Sequence, residues 1–140
     1  MSLSQTMTKT LEIELALPIQ TYDIDFAGIV SNIVYIRWLE DLRLKILETY
    51  LPLDKLLRQG YCPIITSTQI EYKQSLRLGD RPIARMWMSK LSRVRCTLQA
   101  EIYLEERLVV TATQTGFFKD LNTMRPLAVP EPLRNAYTGN

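Results

Sequence analysis

The longest regular pattern in the chain is an apolar stripe that begins near Ser31 and stops before Pro52. Its members fall at spacings of 4, 3 and 4, which is the period of one face of an α-helix. They are Tyr35, Leu39, Leu42 and Ile46. Pro52 ends the helix because proline disfavours helical backbone in the preceding residue. The stripe predicts one amphipathic helix of roughly 18 residues, about 27 Å long.

Shorter runs with alternating apolar and polar positions predict strands on both sides of this helix. One run precedes it at 11–19, and four follow it at 64–76, 82–91, 97–105 and 108–119. Short helices are expected at 53–59 and 131–136. Because strand and helix do not continue to alternate, an α+β fold is favoured over a doubly wound parallel sheet. We expect an antiparallel sheet of about five strands wrapped around one long central helix.

Composition narrows the class of protein. The 140 residues suffice for one domain, and 46% apolar and 23% charged residues are typical of a globular chain. A net charge of +2 argues against nucleic-acid binding, and no apolar run reaches the roughly 20 residues of a membrane span. Cys62 and Cys96 lack metal or redox spacing, and the residues ahead of them do not show the pattern of a secretory leader, so reduced thiols are expected. A cytoplasmic protein is expected, with residues 1–8 flexible and in part an expression scar.

The chain contains no histidine. Catalytic triads, cysteine–histidine pairs and histidine-based zinc sites are therefore excluded. Any acid–base chemistry near neutral pH must come from a carboxylate, a tyrosine, a lysine or a polarised water. The sequence predicts no metal site.

A carboxylate placed just before the helix is the candidate for such chemistry. The segment at 22–35 reads YDIDFAGIVSNIVY. Asp25 precedes the helix start at Ser31 or Asn32, and Gly28 allows a tight backbone path between them. The first N–H groups of a helix lack internal partners and carry partial positive charge, so they can bind a developing oxyanion. A carboxylate beside them can attack a carbonyl carbon or activate water.

Spacing alone also fits turn or capping roles for the two aspartates. The segment, however, resembles the signature of the 4-hydroxybenzoyl-CoA thioesterase family of hotdog proteins. That signature runs Asp-x-Asp-x-x-Gly-x-Val, four residues, Tyr, four residues, Glu. The matching positions are Asp23, Asp25, Gly28, Val30, Tyr35 and Glu40. The strand order, with a Leu-Gly-Asp turn at 78–80, is similar to the family over nearly the whole chain.

The resemblance implies a single hotdog thioesterase domain over residues 1–140. Asp25 would be the catalytic carboxylate, as nucleophile or general base, with Gly28 shaping its loop. The backbone N–H of Asn32 would polarise the thioester carbonyl, with assistance from Val30 and Ser31. Many relatives carry a histidine where this chain has an isoleucine or Asn32, so the resemblance implies a mechanism based on aspartate alone.

Five further residues are candidates for contact with the substrate. Tyr35 lies on the apolar stripe and Glu40 at its edge, so a structural role competes for both. Lys90, Arg93 and Arg95 lie in a turn that binds CoA phosphates in some relatives, and guanidinium groups suit phosphate geometry. An ordinary solvated turn is the alternative for these three.

The aromatic residues fit either an acyl pocket or an ordinary core. They are Trp38, Trp87, Phe117 and Phe118. With no histidine to activate them, Cys62 and Cys96 are expected to be inert.

The expected activity is hydrolysis of an acyl-CoA to the free acid and CoA, with no cofactor beyond the CoA of the substrate. A homodimer or homotetramer is expected, because hotdog sites usually lie between two subunits. Two alternatives stay open, namely cleavage of acyl-carrier-protein thioesters and a non-catalytic acyl-CoA-binding module. The sequence does not distinguish aromatic from aliphatic acyl groups.

Overall fold

The computed structural model of the chain describes residues 9–139, so the expectation for residues 1–8 lies outside the described residues. The strands are β1 (Ile13–Ala16), β2 (Tyr61–Tyr72), β3 (Ile83–Leu91), β4 (Arg95–Leu104), β5 (Arg107–Asp120) and β6 (Pro126–Leu127). The helices are α1 (Asn32–Tyr50), α2 (Leu53–Arg58) and α3 (Glu131–Thr138). A single 3-10 turn at Thr21–Asp23 precedes α1.

The strands form one antiparallel sheet in the order β1-β3-β4-β5-β2, and β6 pairs with the end of β5. Short turns connect β3 to β4 and β4 to β5. Strand β2, which precedes β3 in the chain, pairs with the other side of β5. The predicted α+β class and the sheet around a long helix are therefore confirmed. The sixth strand has only two residues, which is too short for a recognisable alternation.

The core lies between α1 and one face of the sheet. The predicted stripe is buried, with Leu39 and Leu42 at most 1% exposed. The facing side chains of the sheet alternate with outward ones, as in the run Ala84, Met86 and Met88 on β3. The packing of the apolar stripe of α1 against the inner face of the sheet positions both ends of the helix relative to the strands.

Strand β2 is an edge strand, which explains its composition and its irregular pairing. Within the described chain it pairs only with β5, and the register shifts between Ile65 and Ser67. Pro63 is tolerated because an edge strand has one side on which no N–H is needed. Near the shift, Gly116 of β5 approaches β2 so closely that a Cβ atom would collide with the carbonyl oxygen of Ile64.

We expect Gly116→Ala to lower the free energy of unfolding by about 1–3 kcal/mol, the usual cost of overpacking. Urea unfolding measures it. Thr115→Ala is the matched control, because the neighbouring side chain lies on the other face of β5 and should cost less than about 1 kcal/mol. Equal losses for the two variants would contradict the close approach of β5 to β2.

Candidate functional site

A compact loop holds Asp25 in front of α1. The backbone N–H of Asp25 donates to the carbonyl of Ile29 at 2.8 Å, and that of Gly28 donates to the carbonyl of Asp25 at 3.0 Å. Gly28 has φ +81°, a left-handed conformation that favours glycine, so its predicted role in a tight path is confirmed.

The side chain of Asp25 is half-buried and its two oxygens differ. Oδ1 accepts the backbone N–H of Ala27 at 2.8 Å and that of Ile29 at 3.5 Å, which makes an Asx-type turn. No donor to Oδ2 is found among residues 9–139. The turn reading of Asp25 is thus realised in the structure, and it leaves one carboxylate oxygen available.

The start of α1 offers two backbone donors. The helix begins at Asn32, and neither its N–H nor that of Ile33 has an acceptor within the described part of the chain. The N–H of Val30 donates to Leu76 at 2.8 Å and that of Ser31 to Asp23 at 2.9 Å. The expectation that Val30 and Ser31 assist through their N–H groups is therefore corrected, because both donors are used inside the chain.

Tyr35 is part of the core. It is 2% exposed, and its ring meets those of Trp38 and Tyr72 edge to face, each at 5.2 Å between centroids. Burial raises the pKa of the Tyr35 phenol, partly offset by a backbone hydrogen bond from Leu76. The structure thus places Tyr35 in the core near the helix start, where the Tyr72 hydroxyl donates to the Asn32 carbonyl at 3.5 Å, and contact of Tyr35 with substrate stays a prediction.

Glu40 belongs to a polar group that the sequence did not predict. Its exposed carboxylate lies 3.9 Å from the guanidinium of Arg43. Arg43 donates to Gln114 at 2.7 Å, and Gln114, only 2% exposed, donates to Thr68 at 3.0 Å. Burial lowers the pKa of Arg43, and the carboxylate of Glu40 opposes that shift. These contacts link α1 to β5 and β2. No local sequence motif predicts them, because Arg43, Gln114 and Thr68 are far apart in the chain.

The predicted phosphate-binding residues stand far from Asp25 in the same chain. Lys90, Arg93 and Arg95 are exposed at the turn between β3 and β4. The start of α1 lies toward the other end of β3, because Tyr72, whose hydroxyl donates to the Asn32 carbonyl, aligns across the sheet with Ala84. The nine residues of β3 span roughly 26 Å. One chain therefore does not bring the basic turn and the aspartate together.

A cavity of about 560 Å³ opens between the second half of α1 and the sheet. Phe117 and Phe118 line it, whereas Trp38 lies in the core beside Tyr35 and Trp87 lies on the outer face beneath Lys9. The two phenylalanines therefore line a cavity, and a role of that cavity in binding an acyl group stays a prediction.

Cys62 and Cys96 are free thiols that both line this cavity. Burial raises the pKa of the Cys96 thiol to about 11, so that thiol stays protonated near neutral pH. Within residues 9–139, no three acidic or cysteine side chains come close enough together to hold a metal ion. None of the helices in that range has the length and apolarity to cross a membrane.

Fold and site together define a sheet wrapped around one helix, with a carboxylate at the helix start. Residues 19–137 match the thioesterase-like superfamily, so the chain belongs to that family. The predicted resemblance to hotdog thioesterases and the predicted hotdog fold are both confirmed.

Three proteins are similar to this chain, one in sequence and two in fold. The chain is 24% identical to acyl-acyl carrier protein thioesterase ATL3 of Arabidopsis thaliana, over 89% of this chain and 66% of that protein, just under two thirds of its length. A DHNA-CoA thioesterase from Staphylococcus aureus superposes with TM-score 0.85 at 20% identity, covering 91% of this chain and 89% of that one. A 1,4-dihydroxy-2-naphthoyl-CoA thioesterase from Synechocystis gives TM-score 0.83 at 18% identity, with 91% and 96% covered. At such identities the structural likeness establishes the fold.

We expect Arg43→Ala to lower the free energy of unfolding by about 1–3 kcal/mol, because the buried Gln114 loses its donor. Urea unfolding measures the change. Arg37→Ala, on the exposed face of α1, is the matched control and should change stability little. A similar small effect for both variants would show that the Arg43–Gln114 bond does not stabilise the fold.

Proposed function

We propose that this protein hydrolyses acyl-CoA thioesters to the free acid and CoA, with Asp25 as the catalytic carboxylate. Membership of the thioesterase-like superfamily supports the reaction class. The observation that carries the residue assignment is the pairing of a free carboxylate oxygen, Asp25 Oδ2, with a helix start whose first N–H groups are unpartnered among the described residues.

The chemistry follows from these two features. The thioester carbonyl oxygen accepts the N–H of Asn32, where the helix dipole stabilises the negative charge that develops on it. Asp25 Oδ2 either attacks the carbonyl carbon, giving an anhydride that water then cleaves, or takes a proton from the attacking water. The thiolate of CoA leaves in both routes. Neither route needs an imidazole or a metal.

The proposed site is shared between two copies of the chain. Among residues 9–139, strand β2 pairs only with β5, so its other side is an edge that a second copy can extend. Antiparallel pairing about a two-fold axis would set the Tyr72 end of β2 in one copy beside the Tyr61 end in the other. The helix start lies near Tyr72. The basic turn lies near the start of β2, because Arg95 pairs with Phe117 and Phe117 pairs with Ile64.

A homodimer built in this way would bring the aspartate of one copy close to the cavity and basic turn of the other, where Lys90, Arg93 and Arg95 could bind the CoA phosphates. Two exposed apolar side chains near the helix start, Phe26 and Ile33, support a covered surface there. A pair of such dimers would give the homotetramer.

Acyl-carrier-protein thioesters are a second candidate substrate class, favoured by the similarity to a plant enzyme of that name. One acyl group presented on CoA and on acyl carrier protein distinguishes the two carriers by kcat/KM. A non-catalytic acyl-CoA-binding module would bind such ligands without releasing thiol.

We expect Asp25→Asn to lower kcat for thiol release by about 10²–10⁴, the usual contribution of a positioned acid–base group. Asparagine retains the Oδ1 acceptor and forms the same Asx turn, so the loop should keep its structure. A thiol-release assay on octanoyl-CoA measures the effect, and circular dichroism checks the fold.

Asp41→Asn is the matched control, because Asp41 is an exposed carboxylate on α1. It should retain the activity of the parent. Thiol release by Asp25→Asn at the rate of the parent protein would refute the assignment of Asp25.

A further inference from the structure

We infer that the cavity beneath the second half of α1 binds an unbranched aliphatic acyl chain of about eight to ten carbons. The inference rests on the proposed function, because it names the acyl group of the same thioester substrate. The chemistry of the cavity walls, the length of the cavity and its size all favour such a chain.

The walls are almost wholly apolar. They come from α1, α2, α3 and the sheet strands β2 to β5, and their aliphatic members include Leu47, Leu53, Leu57, Ile64, Leu98 and Leu133. The charged groups of the lining are Glu40 and Arg43, which lie side by side on α1. An apolar wall with polar groups at one place suits a chain that is apolar along its length and polar at one end.

The lining residues give the length of the cavity along two of its walls. Along α1 it extends from Glu40 to Leu47, about 10 Å at the rise of a helix. Along β2 it extends from Cys62 to Ile65, again about 10 Å. An extended hydrocarbon advances about 1.3 Å per methylene, given a C–C bond of about 1.5 Å. About eight methylenes therefore fit, and 560 Å³ lies within the range of small-ligand pockets.

A hydroxylated aromatic acyl group is a poor match for the same walls. With its thioester end beside Glu40 and Arg43, a hydroxybenzoyl group would place its hydroxyl among aliphatic side chains, two phenylalanines and two thiols, and an unpaired hydroxyl in such surroundings is costly. Of the two thiols, Cys96 is protonated and buried. The aliphatic chain leaves no polar group without a partner.

Straight-chain acyl-CoAs from butanoyl to tetradecanoyl, together with 4-hydroxybenzoyl-CoA, test the inference by thiol release. We expect kcat/KM to rise about fourfold per added methylene up to about ten carbons, as for burial of one CH₂ group. It should then level off or fall. Titration calorimetry with decanoic acid measures binding without catalysis.

Two variants fill the cavity, and one matched control leaves it open. Cys96→Phe and Cys62→Phe place a ring inside it and should move the optimum at least two carbons shorter. Thr97→Phe places the same ring on the outer face of β4, next to Cys96, and should keep the optimum of the parent. Thermal unfolding identifies any variant that does not fold. The chain-length series on the parent protein tests the inference without the variants.

The outcomes separate this inference from the proposed function. Hydrolysis with no dependence on chain length, or fastest with 4-hydroxybenzoyl-CoA, overturns the aliphatic assignment and leaves thioester hydrolysis in place. Decanoic acid that binds the parent and not Cys96→Phe, without any thiol release, supports the cavity assignment while hydrolysis fails. Absence of both binding and hydrolysis overturns both.

Discussion

The contact between the apolar stripe of α1 and the inner face of the sheet is the interaction on which the other features depend. Leu39 and Leu42 are almost fully buried in it and fix the helix at its middle. From there the helix extends in one direction to its start at Asn32, beside the Asp25 loop. In the other direction it passes Ile46, which lines the cavity. The position of the helix therefore sets both the proposed reacting groups at its start and the cavity beneath its second half.

Local sequence pattern predicted the parts of the fold that local forces determine. The period of the apolar stripe predicted α1. Pro52 was expected to end this helix, and it directly follows Leu51, the C-cap residue. Strand β2 begins at Tyr61, earlier than predicted, because Pro63 is compatible with an edge and the edge position depends on the whole sheet. Alternation cannot show which strand lies at an edge.

The site was predictable where its residues are neighbours in the chain and unpredictable where they are not. The Asp25 loop and the helix start are local, and both were found. The N–H of Val30 donates to the carbonyl of Leu76, and this hydrogen bond joins two segments that are far apart in sequence. The hydrogen bond from Arg43 to Gln114 joins residues 71 positions apart. The turn and catalytic readings of Asp25 also prove compatible, because the turn uses Oδ1 and leaves Oδ2 available.

Gly116 has a consequence for how the shape of the cavity can change during evolution. It lines the cavity at a place where β5 touches the backbone of β2, so any larger side chain there forces the backbone of β2 or β5 to shift. Other lining positions, such as Cys62 and Leu57, can exchange one side chain for another within the same backbone. The shape of the cavity can thus vary most readily through the side chains of α1, α2 and the inner faces of the strands, because a change at Gly116 also disturbs the pairing of β5 with β2.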